Sequence, residues 1–296
     1  MDRYADEYFL YLTESKGASA NTVDSYTRDI NKFIDYLTDV NIENSLKATQ
    51  TVILNYLLAL KKRGKSAATL SRVLSSLKSF YKYLFSNRYI DTDPTVEIHG
   101  FKFEKRPPQA LSDTQIDLFL NTPICHNIKG YRDKAILELM YATGMRATDI
   151  INLHLSDVNL NIGFIFYRSK NKERVIPIYS LAKECVKKYI EKRKQIKNSQ
   201  NTDILFLNLN GNPLTRQGLY KIVKSYQKIS GISMDITPNT IRDSFAIHLL
   251  ENGADLKSVQ EMMGHSDISS TQVYEQVIKN KLTDVYKKAH PRSKHK

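Results

Sequence analysis

The sequence lacks most of what would mark a membrane, metal or nucleotide protein. No apolar run approaches the roughly 20 residues of a spanning helix, and Met1-Asp2-Arg3-Tyr4-Ala5-Asp6-Glu7 is too acidic to begin a signal peptide. A soluble, cytoplasmic protein with no membrane association is expected. Cysteine is scarce: Cys125 and Cys185 stand far apart without metal-ligand spacing, as reduced cytoplasmic thiols would. Nothing resembles a phosphate-cradling glycine loop or a carboxylate metal cluster, so neither a metal nor any other cofactor is expected. Repeats and low-complexity segments are missing too.

What is present is basic charge. The 296 residues carry a net charge of +13, with a pI near 9.4, which favours a polyanionic partner, nucleic acid ahead of a membrane surface. The charge is uneven: residues 1–60 are net −4, residues 61–106 net +7, and the remainder net +10. Both halves can therefore contribute to one polyanion site, as a clamp around a duplex would. Length and a hydrophobic content of 41% support two domains.

The first hundred residues read as helices. Asn21 precedes an amphipathic stripe of Val23, Tyr26, Ile30, Phe33, Tyr36 and Leu37, Thr51 to Lys62 forms a second segment, and Ser66 caps a helix running to about Asn87. On that helix Leu70, Val73, Leu74, Leu77, Tyr81 and Leu84 share one side. Ser71, Arg72, Ser75, Lys78 and Lys82 share the other, a face suited to DNA phosphates or simply to solvent. Asp93-Pro94 is expected to stop the preceding helix, and the basic stretch ending in Pro107-Pro108 reads as a linker. The expected division is residues 1–100, a helical domain; 101–109, the linker; and 110–296, a mixed α/β domain.

In the second part, Ser112 and Gln115 form a capping box, and Gly144 ends a longer helix just before Arg146. The period then changes. Gly163 to Tyr167 and Arg174 to Ile178 read as a hairpin with Lys170 and Lys172 at its tip. Helices resume near Tyr179, from Thr215 to Ile229, Thr237 to Glu251, Asp255 to Met262, and from Ser269 onward. The fold class expected is mainly α with a small antiparallel β-sheet.

Four residues carry the chemistry: Arg146, Arg242, His265 and Tyr274. Guanidinium forks match phosphate oxygens and keep their charge. A histidine and a phenol complete a set able to hold a phosphodiester and attack it. That implies DNA cutting and joining through a phosphotyrosine.

Ala142-Thr143-Gly144-Met145-Arg146, Ser169-Lys170-Asn171-Lys172-Glu173-Arg174, Thr240-Ile241-Arg242, Met263-Gly264-His265-Ser266-Asp267 and Thr271-Gln272-Val273-Tyr274 resemble the tyrosine recombinase family, its Xer-type members most of all. The likeness spans nearly the whole chain. It implies an N-terminal SAM-like core-binding domain, a C-terminal catalytic domain, and no room before Tyr4 for an extra arm-binding domain.

By that resemblance, Arg146 and Arg242 clamp the scissile phosphate, Tyr274 is the nucleophile, His265 assists, and Lys170 protonates the departing 5′ oxygen, with Lys172 its local rival. Asp149 looks like the acidic partner of Arg146. Asn239 departs from the family, which usually has histidine there. An amide donates a hydrogen bond but transfers no proton, so a slower enzyme or shifted pH profile is expected. Asp243 also replaces a common histidine. The implied partners are double-stranded DNA, a homo- or heterotetramer of protomers on two sites with Leu282, Val285 and Tyr286 at its apolar edge, and a septal DNA translocase in chromosome or plasmid dimer resolution. Rival readings are a type IB topoisomerase, a non-catalytic DNA-binding paralogue and a mobile-element integrase or resolvase.

Overall fold

The computed structural model describes residues 2–100, 108–169 and 172–264, the side chains of Ser169 and Lys172 excepted. The chain divides into two compact units, residues 1–105 and 106–296. Among the described residues no helix is long and apolar enough to cross a membrane.

The first unit is helical. It contains α1 (Arg3–Glu14), α2 (Ala20–Asp39), α3 (Gln50–Lys62) and α4 (Ala67–Ser86). Each begins on a side-chain cap: Asp2, Ser19, Thr49 and Ser66 accept from backbone N–H groups that a first helical turn leaves unpaired. Ser19, rather than a residue at Asn21, opens α2, because its hydroxyl reaches the Thr22 N–H at 3.2 Å. The stripe expected on α4 is buried as read, with Phe80 added to it. Tyr8, Phe33, Phe80 and Tyr81 are fully buried at its centre, and the Tyr8 and Phe80 rings lie 5.2 Å apart. Asp93-Pro94 does not stop α4. The helix has already ended at Ser86, and the Asp93 carboxylate instead accepts from the Thr95 N–H at 2.8 Å in a later turn.

The second unit contains α5 (Asp113–Leu120), α6 (Ile128–Thr143), the short α7 (Ala147–Ile151), strands β1 (Val158–Asn159), β2 (Phe164–Ser169) and β3 (Lys172–Pro177), then α8 (Ser180–Arg193), α9 (Arg216–Ser230), α10 (Pro238–Glu251) and α11 (Leu256–Met263). The expected capping box of Ser112 and Gln115 opens α5. Helix α6 is buried almost all round, Ala135, Ile136, Leu137, Leu139 and Met140 alongside the charged Arg132, Asp133 and Glu138, which places it at the centre of the unit. It packs against α8 and α10. The sheet is antiparallel in the order β1-β2-β3. Ile165 faces Ile176 across the hairpin and both are fully buried, while Val175 points outward, 57% exposed. Strand β1, two residues long, is too short to show a period, and sequence reading passed over it.

Helix α10 also grips the chain where α5 begins. The Ser244 hydroxyl accepts from the Leu111 N–H at 2.9 Å. His248 Nε2 lies 2.8 Å from the Leu111 carbonyl, which can only accept, so Nε2 carries the proton and Nδ1 accepts from the Tyr141 hydroxyl at 2.8 Å. Burial pushes that phenol up to about 12, keeping it a donor.

Candidate active site

Gly144 positions the first arginine. It ends α6 with φ +57, a left-handed conformation that suits glycine, and a Cβ there would lie 2.3 Å from the Phe245 ring. The chain turns through Met145, and Arg146 becomes the N-cap residue of α7. Its side chain is exposed, and Nη1 reaches the Gly264 carbonyl at 3.5 Å.

The second arginine arrives from α10. Thr237 caps that helix, its hydroxyl accepting from the Thr240 N–H at 3.1 Å, and Pro238 fills the first position, where no backbone donor is needed. One turn on, Arg242 is only 6% exposed. Its Nη1 donates to the Gly144 carbonyl and its Nη2 to the Met263 carbonyl, the latter at 2.8 Å. These acceptors lie at the C-terminal ends of α6 and α11, where carbonyls lack helical partners and the dipole favours a cation. Arg146 and Arg242, 96 positions apart in sequence, thus end on the adjacent carbonyls of Gly264 and Met263. His265 is next in the chain.

Asn239 lies on the same helix, one turn before Arg242, and is exposed. It borders a hollow of about 630 Å³ shared with Ala147, Arg216, Tyr220 and Lys221. Asp243 is half-buried beside Arg242 in the same helix.

Asp149 has a different partner from the one expected. It is nearly buried on α7, and its Oδ2 accepts from Arg174 Nη2 at 2.9 Å, so the guanidinium it meets comes from β3 and not from Arg146. The other carboxylate oxygen accepts from the Tyr167 hydroxyl at 3.1 Å. Burial first, then the Asp149 charge, push that phenol up to about 12, so it remains a donor at neutral pH. Sequence reading did not single out Tyr167 or Arg174 as site residues. The hairpin register pairs them directly across β2 and β3, and that was the signal available.

Lys170, the Lys172 side chain, His265 and Tyr274 lie outside the described residues, as do Leu282, Val285 and Tyr286. In the first unit the DNA-facing candidates lie on α4. Lys82 is exposed, Ser71 and Lys78 are half-buried, and Arg72 is exposed yet engaged: it pairs with Asp29 of α2, a carboxylate 3% exposed that also accepts from Ser76 Oγ at 2.8 Å.

Residues 109–281 match the phage integrase family, and residues 5–88 match the phage integrase N-terminal SAM-like domain. Tyrosine recombinase XerD of Staphylococcus epidermidis is 43% identical over 295 residues, covering 99% of this chain and 100% of that protein. XerD of Staphylococcus haemolyticus is 42% identical with the same coverage. Among solved structures, the XerH site-specific recombinase bound to a palindromic difH substrate, in a post-cleavage complex, superposes with a TM-score of 0.77 at 22% identity, over 92% of this chain and 81% of that one. That likeness shows the shared fold.

Proposed function

Since the chain belongs to the phage integrase family of tyrosine recombinases and is a site-specific DNA strand-exchange enzyme, we propose that Arg146, Arg242, His265, Lys170 and Tyr274 are its reacting groups and Asn239 its altered sixth. The observation that carries this reading is the meeting of Arg146 and Arg242 on the Met263 and Gly264 carbonyls, one residue before His265. The Tyr274 phenolic oxygen attacks a backbone phosphorus as its proton passes to His265, and the 5′ oxygen leaves with a proton from Lys170. A 3′ phosphotyrosine and a free 5′ hydroxyl result. A 5′ hydroxyl from a partner duplex then attacks the phosphotyrosine, giving its proton back to Lys170, and the phenol leaves with the proton held by His265. One phosphodiester replaces another, so the chemistry needs no external energy source.

The rate comes from fixed positive charge. The transition state gathers negative charge on the nonbridging oxygens, and guanidiniums already held in place stabilise it more than they stabilise the bound ground state. A phenol of reference pKa about 10 is a weak nucleophile at neutral pH, and the same cations favour its phenolate as the new bond forms.

Beside XerD relatives of 42–43% identity, the reading extends to chromosome or plasmid dimer resolution in the cytoplasm, where the resemblance implies a homo- or heterotetramer of protomers on two double-stranded sites and a septal DNA translocase as activator. A mobile-element recombinase would use the same chemistry on other sites. The test is to incubate the full chain with sheared genomic DNA, denature it, and sequence whatever stays attached. Recovery of one recurring site, joined through a 3′ phosphate and lost in Tyr274→Phe while DNA binding persists, is the expected result. An adduct that survives in Tyr274→Phe overturns the assignment.

A further inference from the structure

We propose that Arg174 is a positioning residue of the strand-cutting site, a planar cation that holds three segments bearing reacting groups in fixed relation without itself touching DNA. The inference rests on the reading of Arg146, Lys170 and His265 as reacting groups. Its evidence is separate: the surroundings of one guanidinium.

Arg174 stands on β3 with its side chain 9% exposed. Its guanidinium lies over the Tyr167 ring, 4.9 Å from the centroid, so the partner strand of the hairpin fixes one face. Nη2 donates to Asp149 at 2.9 Å, and Nη1 is 3.4 Å from the Met262 carbonyl near the end of α11. Gly264 lies close against it: a Cβ there would meet Nη1 at 2.4 Å and Cζ at 2.7 Å, and φ is +66. The left-handed backbone favours glycine here, and any larger residue would have to push the guanidinium from its place.

Each neighbour leads to a reacting group. Asp149 is in the first turn of α7, whose N-cap residue is Arg146. Lys170 is four residues upstream of Arg174 in the sequence, and His265 follows Gly264. A lysine could satisfy one of these partners as a point charge. The guanidinium reaches a carboxylate, a carbonyl and a ring together because its donors fan out in one plane. Little of the side chain is exposed and its two terminal nitrogens face Met262 and Asp149, so its effect passes through placement.

The experiment uses the full chain and the duplex recovered by genomic capture, with Arg174→Gln, Arg174→Lys, Asp149→Asn and the double variant Asp149→Asn/Arg174→Gln. Covalent attachment is timed in single turnover at saturating duplex, affinity is measured by titration, and amide exchange is followed by mass spectrometry. Arg174→Gln is expected to slow attachment at saturation about 100-fold, the scale of a small misplacement of reacting groups, with affinity within about twofold of the parent. Exchange should quicken over residues 172–177 and 256–264 and stay unchanged in residues 3–86. Arg174→Lys should recover only part of the rate, and the double variant should be no slower than Arg174→Gln, because the two residues act as a unit.

Parental attachment at saturation in Arg174→Gln, or full recovery in Arg174→Lys, overturns the inference. So does unchanged exchange in both segments. Should the parent chain form no adduct, the reading of the site fails, and the exchange result still decides whether Arg174 holds β3 to α11. If Arg174→Gln does not fold, Arg174→Lys supports the same comparisons, and parental behaviour in every measurement overturns the proposal.

Discussion

In the first unit the interior is rings and aliphatic chains, and Asp29 is its one buried charge among the described residues. The second unit buries Arg132, Asp133, Glu138, Asp149, Arg193 and Arg242. The difference follows from what each has to assemble. Four capped helices with apolar stripes close around Tyr8, Phe33 and Phe80 by the hydrophobic effect, and a single ion pair between α2 and α4 is an addition to that packing. The catalytic unit must join short pieces, such as five-residue α7 and the end of α11, whose apolar area is small. Guanidiniums do the joining. Arg193 donates to the carbonyls of Thr202, Ile204 and Leu205, and Arg242 to those of Gly144 and Met263. A cation fixed on carbonyls is both a brace and a source of field, and a dry setting strengthens that field.

The comparison is tested most severely at Arg242. Arg242→Gln should slow covalent attachment by about 10²–10³, the usual loss on removing one transition-state donor, and should lower the melting temperature of the second unit. An unchanged rate in single-turnover assays would make the buried guanidinium scaffolding alone. A smaller effect is expected in the first unit. Arg72→Ala leaves buried Asp29 with Ser76 as its remaining described partner, at a cost of about 1–2 kcal/mol in denaturant unfolding. That is below the 3–5 kcal/mol of a fully buried pair because the Arg72 side chain is 44% exposed. If Arg72→Ala instead weakens DNA binding with no loss of stability, the residue faces phosphate and the contrast between the units narrows.

Asn239→His should accelerate attachment by less than the about 10²-fold that general acid–base groups contribute, since Asn239 sits at the exposed rim and not among the buried charges. A slower enzyme would give the amide a tuned role of its own. The smallest effect is alkaline. The Tyr167 phenol is raised from 10.0 to about 12. Its contribution to stability is fully present below pH 10 and is lost as pH climbs from 10 towards 12, because the unfolded chain releases that proton first. Tyr167→Phe should flatten this part of the stability profile of the second unit, and an identical profile would show that the phenol does not titrate differently on folding.

Local chemistry was the legible part of the sequence. Ser66, Ser112 with Gln115, Thr237, Asp255 and Gly144 mark helix ends through groups within a few residues of one another, and these positions were read directly. Arg146 and Arg242 stood out by motif. What could not be read was partnership across distance. Arg72 meets a carboxylate 43 residues away, and Arg174 meets Asp149 and Met262 from different elements. Spacing along the chain gives no account of such pairs. The acidic partner that the resemblance assigned to Arg146, Asp149, instead meets Arg174, which the hairpin brings in from 25 residues away. Asp2, which caps α1 on the Tyr4 and Ala5 N–H groups, also accepts from the distant Ser45 N–H at 2.8 Å, a second partnership that spacing does not reveal.

The backbone of Leu111 is held on both sides by α10, its N–H by Ser244 and its carbonyl by His248. Ser244 is two residues from Arg242. The helix that carries the buried cation thus also moors the start of α5, and the two cannot part without breaking both hydrogen bonds.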